Sequence, residues 1–219
     1  MAHTRTQIEL ACKLPLLTTL VLWSQLAAAD ASLLTAAPSL ADLSIIQPGL
    51  GCWPFVLQCP KLHRLAISGL RLLDFPSFSR EADWQQLREL SLVEYDSRGL
   101  MDEHAEAFAA ALSGLRSLLV LSLTGMGMAQ VLAHVHRIPS LRRLILRCGY
   151  GSTRLGHSDE VLSLLRSAPA LCVEWLVQPF YSAGVESLLL PLAAEAGGRI
   201  MRVAEPSQRD VCFRLVRDV

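Results

Sequence analysis

The side chains with the strongest claim to chemistry lie in the run Gly151-Ser152-Thr153-Arg154-Leu155-Gly156-His157-Ser158. Two glycines at this spacing can cradle a phosphate on backbone N–H groups, and the run differs from the phosphate-loop pattern G-x-x-x-x-G-K-[ST] at one position. There His157 stands in place of the lysine, and a largely neutral imidazole does not supply the full positive charge that the phosphates need at pH 7. No acidic strand end is placed for Mg²⁺, so the Gly149 to Ser158 segment reads first as a structural loop, with nucleotide binding as the alternative. His134 and His136 invite a metal, but two residues apart on a helix they face different sides, and no third ligand lies near them in sequence. Asp102 and Glu103, with Glu106 close by, could pass for paired acids, yet the first two suit the opening turn of a helix. No Ser, His and Asp set comes with a G-x-S-x-G turn. The six cysteines, at 12, 52, 59, 148, 172 and 212, form no CxxC pair and fit buried free thiols in a reducing compartment. The expectation is a protein that is not an enzyme and needs no metal or cofactor.

What the chain has in excess is leucine, at 43 of 219 positions, about twice its usual share. No window approaches the ~18 consecutive apolar residues of a membrane span, so the leucines must be placed in a pattern. Twenty basic residues balance twenty acidic ones, which removes the basic excess that nucleic-acid binding requires. With 18% charged and 52% hydrophobic residues the chain has material for one well-filled core and little for a disordered tail. One segment argues for export: Lys13, the apolar stretch Leu14 to Trp23 and the small run Ala27-Ala28-Ala29 outline a secretory signal within residues 1–29. Glu9 argues against it, as does the use of Leu17, Leu20 and Leu22 in the pattern that follows. The expected location is cytoplasmic or nuclear, with a secreted repeat receptor as the alternative.

The pattern is L-x-x-L-x-L. It occurs at Leu17/Leu20/Leu22, Leu40/Leu43/Ile45, Leu62/Leu65/Ile67, Leu87/Leu90/Leu92, Leu118/Leu121/Leu123 and Leu141/Leu144/Leu146, with a degenerate seventh copy at Cys172/Trp175/Val177. Pro15, Pro38, Pro60 and Pro139 stand two residues before the first Leu of their copies, and Pro169 does the same for Leu171. A proline there stops the preceding helix and biases its predecessor to extended geometry, so each copy enters its strand at a set point. Between strands the composition turns helical, as from Asp102 to Leu112, from Met128 to Arg137 and from Ser158 onward. The earlier connections, Gln47 to Pro54 and Asp74 to Ser79, are shorter and rich in Pro and Gly. Strand, turn, helix and return, repeated about seven times over residues 14–180, predict an α/β right-handed solenoid, its parallel strands on the concave face and helices and loops on the convex one. Residues 1–13 read as an N-terminal helical cap. Residues 181–219 read as a C-terminal cap, with a helix at Ala183 to Ala196 and two strands at Ile200 to Val203 and Val211 to Val216.

On these residues the chain resembles the leucine-rich-repeat family, and its lead-in, as in Cys59-Pro60-Lys61-Leu62, is similar to the repeat regions of fungal F-box proteins. The resemblance implies a protein-protein interaction scaffold, with substrate recognition in an F-box type ubiquitin ligase and contact with the Skp adaptor and cullin through an F-box. Only thirteen residues precede the first repeat, too few for that helical module, so the chain reads as the receptor half of a longer product or as a stand-alone repeat protein. It also departs from the family at the position normally held by an asparagine ladder, occupied here by Gln25, Pro48, Leu70, Tyr95, Met126, Gly149 and Phe180. Irregular repeats, and an irregular horseshoe segment, are the expectation.

Period-two alternation places the third, fifth and seventh positions of each copy on the concave face, where a protein partner would bind. The third positions are Thr19, Asp42, Arg64, Glu89, Val120, Arg143 and Glu174. The fifth are Val21, Ser44, Ala66, Ser91, Ser122, Ile145 and Leu176, and the seventh Trp23, Ile46, Ser68, Val93, Thr124, Arg147 and Gln178. The middle column is small and leaves room for an approaching chain. Trp23 beside Ile46 offers an apolar anchor, and Arg143 with Arg147 offers charged fork donors. The candidate contact set is Trp23, Ile46, Arg64, Glu89, Val93, Arg143, Arg147 and Glu174. Packing of Trp23 under the N-terminal cap and plain solvation of the arginines account for the same residues.

Overall fold

The structure, a computed structural model, describes residues 2–49, 51–69, 86–93, 112–124, 132, 135–147, 158–168, 170–177, 182–203 and 211–217. It is a mixed α/β fold built on one open nine-stranded sheet. Helix α1 (Ala2–Cys12) precedes β1 (Thr19–Leu22). Then come α2 (Ala28–Ala31), a 3-10 turn (Ser32–Ala36), β2 (Asp42–Ile46), α3 (Trp53–Leu57) and β3 (Arg64–Ser68). Strands β4 (Glu89–Val93), β5 (Val120–Thr124) and β6 (Arg143–Arg147) follow, then α4 (Ser158–Ser167) and β7 (Cys172–Val177). Helix α5 (Ser182–Glu195), β8 (Gly198–Val203) and β9 (Val211–Arg217) complete the chain.

Strands β1 to β7 lie side by side in chain order, every pair parallel. Six of them begin at the third position of an L-x-x-L-x-L copy, and they pair position for position: Asp42 with Arg64, Arg64 with Glu89, Glu89 with Val120, Val120 with Arg143. The fourth and sixth positions therefore stack into two apolar columns. From β2 to β6 every one of these residues is buried, with Leu65, Ile67, Leu121 and Leu144 fully so. At the open end of the stack Leu20 is only half-buried.

A repeated backbone device sets the entry of β2 to β6. Two consecutive N–H groups bond one carbonyl of the previous copy: Arg64 and His63 to Ala41, Glu89 and Arg88 to His63, Val120 and Leu119 to Arg88, Arg143 and Arg142 to Leu119. Side chains add to it at the turns before β4 and β6. The Ser140 hydroxyl donates to the Leu118 carbonyl at 2.8 Å, and the Gln86 amide donates to the Cys59 carbonyl at 3.0 Å. Part-buried carbonyls at these turns are thus met by different side chains in different copies.

At β7 the frame expected from sequence is corrected. Val173 pairs with Leu144 and Trp175 with Leu146, so Val173 and Trp175 occupy the fourth and sixth positions that the degenerate copy assigned to Trp175 and Val177. Leu171 closes the preceding turn through its N–H to Ala168, as Leu141 does to Ile138, but Cys172 already pairs with Arg143. One residue fewer separates turn and strand. The shift by two keeps each side chain on its expected face and moves Glu174 from the third column to the fifth, and Leu176 from the fifth to the seventh.

Beyond β7 the parallel series ends. Strand β9 adds antiparallel, pairing Glu174 with Arg214 and Trp175 with Phe213, and β8 forms the outer edge. Helix α5 buries Val185, Leu189, Leu192 and Ala193, and Gly197 at φ 68° ends it in the left-handed region that a side chain resists. At the other end α1 covers the core with Ile8, which is fully buried. The helices expected at Asp102 to Leu112 and Met128 to Arg137 lie largely outside the described residues. Among the described residues no helix is long and apolar enough to cross a membrane.

Position-specific burial predicts position-specific stability. Leu65→Ala should cost about 2–5 kcal/mol in urea unfolding; Ser44→Ala, on the opposite face of a neighbouring strand, should stay within about 0.5 kcal/mol. Burial also pushes the Cys59 thiol from 9.0 up to about 11, with the nearby Cys12 adding to the shift. The unfolded chain then loses that proton before the folded one does. Stability should decline as pH rises from about 9 toward 11 by up to roughly 1.4 kcal/mol per pH unit, and Cys59→Ala should flatten that slope in unfolding measured across this range.

Candidate protein-binding face

The face of the sheet opposite the leucine columns carries the third, fifth and seventh positions, which are half-buried or exposed in β1 to β6. Its middle column runs Val21, Ser44, Ala66, Ser91, Ser122 and Ile145, paired strand to strand. Four of these six are Ser or Ala, so the middle of the face is shallow. Along one side stand Ile46, Ser68, Val93 and Thr124, each half-buried. Trp23 follows the end of β1 and is 78% exposed, which rules out packing under the N-terminal cap. Arg147 ends β6 as an exposed residue with contacts of its own.

The third column along the other side is a row of side-chain pairs. The Thr19 hydroxyl donates to Asp42 at 3.3 Å. Arg64 and Glu89, opposite each other on β3 and β4, form an ion pair at 2.6 Å. Both were expected as partner contacts, and the structure joins them to one another. The pair is exposed, and an exposed pair contributes little to stability because water screens it.

Glu174 departs furthest from expectation. It was placed among the partner-contacting residues, but it is 1% exposed. Its Oε2 accepts from Arg143 Nε at 2.9 Å and Nη2 at 2.6 Å, and its Oε1 accepts from Arg214 Nε at 2.7 Å. Arg143 is accordingly not a plainly solvated side chain; it is one arm of an Arg-Glu-Arg triad across β6, β7 and β9. Arg214 lies directly opposite Glu174 in the antiparallel pair, and Arg143 lies diagonally across the parallel one. The Cys172 thiol sits 4.0 Å from Glu174, and its pKa is raised first by burial and then by that carboxylate.

Sequence reasoning missed Arg214. The apolar run Val211-Cys212-Phe213 before it and Leu215-Val216 after it mark Arg214 as a charged residue inside a strand, but not as the partner of Glu174, because nothing in the sequence sets the β7 to β9 register. The glycine-rich run up to His157, the acids Asp102, Glu103 and Glu106, and His134 lie outside the described residues. Among the described residues no three His, Cys, Asp or Glu side chains converge as a metal set.

The two ion-pair groups should respond differently to truncation. Glu174→Ala removes the buried acceptor of two part-exposed guanidiniums and should cost about 1–3 kcal/mol, whereas Glu89→Ala should cost less than about 1 kcal/mol; urea unfolding of the two variants side by side checks this. Compared with protein-family models and with curated proteins, the chain matched none.

Proposed function

We propose that this chain is a non-enzymatic leucine-rich-repeat solenoid whose concave face, the polar face of the sheet, binds a protein partner. The observation that carries the reading is the band across β1 to β6: a shallow Ser and Ala column with an exposed tryptophan at one end and Ile46 and Val93 along its side. Tryptophan is the residue type that most often dominates an interface when a partner desolvates it, and the small column lets a partner's backbone approach. An extended segment laid across the strands would meet one strand about every 4.8 Å. Within this reading the partner is the substrate of an F-box type ubiquitin ligase, and the Skp adaptor and cullin are met through an F-box; that part rests on the resemblance of the lead-in residues alone. The site of action is then the cytoplasm or nucleus.

Affinity purification of the tagged chain from its own cells, followed by mass spectrometry, tests both layers. Trp23→Ala and Val93→Asp each leave the buried columns intact and should reduce recovery of the true partner at least roughly tenfold, equivalent to about 1.4 kcal/mol. Recovery of Skp adaptor and cullin unaffected by these variants supports the ligase assignment. Loss of another protein in both variants, with neither ligase subunit present, leaves a scaffold outside any ligase. Equal recovery of every protein by wild type and variants overturns the binding face.

A further inference from the structure

Ile46, Ser68 and Val93 end β2, β3 and β4 side by side, and Trp23 follows β1 in the same row. Trp23 is exposed and the other three are half-buried. The third positions of the same strands, Thr19, Asp42, Arg64 and Glu89, form a second row four residues away, about 13 Å along the strands. One rim is therefore largely apolar and the other charged. The charged rim holds two carboxylates to one guanidinium: Asp42 accepts from the Thr19 hydroxyl and Glu89 pairs with Arg64, which leaves one net negative charge. The basic residues just before these strands, His63 and Arg88, have the parity of the leucine columns and not of this face.

An α-helix with its side chains is about 10–12 Å across and fills the width between the rims. The spacing along the rims points the same way. Neighbouring strands lie about 4.8 Å apart, so the seventh positions of β1 to β4 stand at roughly 0, 5, 10 and 14 Å. Residues i, i+3, i+7 and i+10 of a helix rise through roughly 0, 4.5, 10.5 and 15 Å, in step with the strands throughout. Side chains on one face of an extended segment recur only every ~6.7 Å and fall out of step after the first. Ser68 is the short member of the apolar rim, between Ile46 and Val93, so the helix residue opposite it, i+7, has room to be the largest.

We propose that the partner presents a basic amphipathic helix to this face. Its apolar stripe at i, i+3, i+7 and i+10 lies along Trp23, Ile46, Ser68 and Val93, and Lys or Arg on its flank meets Asp42 and Glu89. This rests on the reading of the face as a protein-binding surface. The two rims, and not the small residues between them, choose the occupant: the apolar rim demands the stripe, and the net negative charge rejects an acidic helix. Asp42 and Glu89 stand two strands apart, roughly 10 Å, so basic residues seven apart on the helix reach both.

The test is fluorescence anisotropy of labelled peptides titrated with the purified full chain. One peptide carries Leu at i, i+3, i+7 and i+10, Lys on both flanks of that stripe and Ala elsewhere. The second has the same composition with Leu at alternate positions, and the third has Glu in place of Lys. The helical Lys peptide should bind saturably, and the other two at least roughly tenfold more weakly. Ser68→Arg fills the gap in the apolar rim with a like charge, and Asp42→Asn combined with Glu89→Gln removes the acidic charge. Each should weaken the helical Lys peptide at least roughly tenfold, with circular dichroism verifying that both variants fold. No saturable binding of the helical Lys peptide, or undiminished binding by folded Ser68→Arg, overturns the proposal. Equal binding of the alternating peptide overturns the helix. Equal binding of the Glu peptide, or by the doubly exchanged protein, overturns the basic flank. A captured protein lost with Trp23→Ala, together with no peptide response, leaves the face a protein-binding surface and sinks the helix. Peptide binding that Ser68→Arg abolishes, with no captured protein dependent on Trp23, reverses that outcome.

Discussion

Position-for-position pairing of the parallel strands is the constraint from which the rest of the structure follows. Once Arg64 pairs with Glu89 and not with a neighbour of it, Leu65 must stack on Leu90 and Ile67 on Leu92, and the apolar columns close. A slip of one residue would turn every leucine to the polar face and every polar side chain to the core. The double acceptance of two N–H groups by one carbonyl at the entries of β2 to β6 opposes the slip, because it fixes where the turn ends. The leucines supply the driving force and the turns supply the register, and neither suffices alone.

The seventh strand shows what happens when the two disagree. There the turn closes on Leu171 but the strand begins one residue early, and the inward positions fall to Val173 and Trp175. Trp175 takes a leucine position with a larger side chain and buries its indole N–H without a hydrogen-bond partner among the described residues, a loss on the order of 1–3 kcal/mol. Its compensation is Phe213 across the antiparallel pair, fully buried, which extends the core past the last repeat. Change of residue size, change of strand direction and the Arg-Glu-Arg triad therefore fall at one place, on the two faces of a single strand.

Most of this architecture could be read from the residue string, for a physical reason. L-x-x-L-x-L encodes alternation and acts within a few residues of chain, so six strands begin at the third position of their copies, including β4 and β5, whose copies carry no lead-in proline. The exposed face followed by the same parity, including Trp23, Ile46 and Val93. What did not follow was the state of the charged residues on that face. Whether Arg64 is solvated or paired depends on what stands opposite it in space, and Arg143 and Glu174 are brought together by a register shift that a degenerate copy conceals. Arg214 lay further out of reach, because its partner is set by an antiparallel addition without a repeat to announce it.

The two ends of the sheet solve different problems. At the C-terminal end β9 reverses direction, so the stack cannot continue there as parallel repeats, and β8 with its exposed Arg199 and Arg202 forms the outer edge, charges of the kind that discourage further strand addition. At the N-terminal end α1 covers the interior with Ile8 and the buried Thr4, whose hydroxyl bonds Ser24. That helix covers the core and leaves the polar face clear, so Val21 and Trp23 stay exposed beside an edge strand of four residues, too short to template a long pairing. Capping the interior without covering the polar face is the arrangement that a binding surface on this sheet requires. Trp23 is thereby left as an exposed aromatic side chain at the rim of that face.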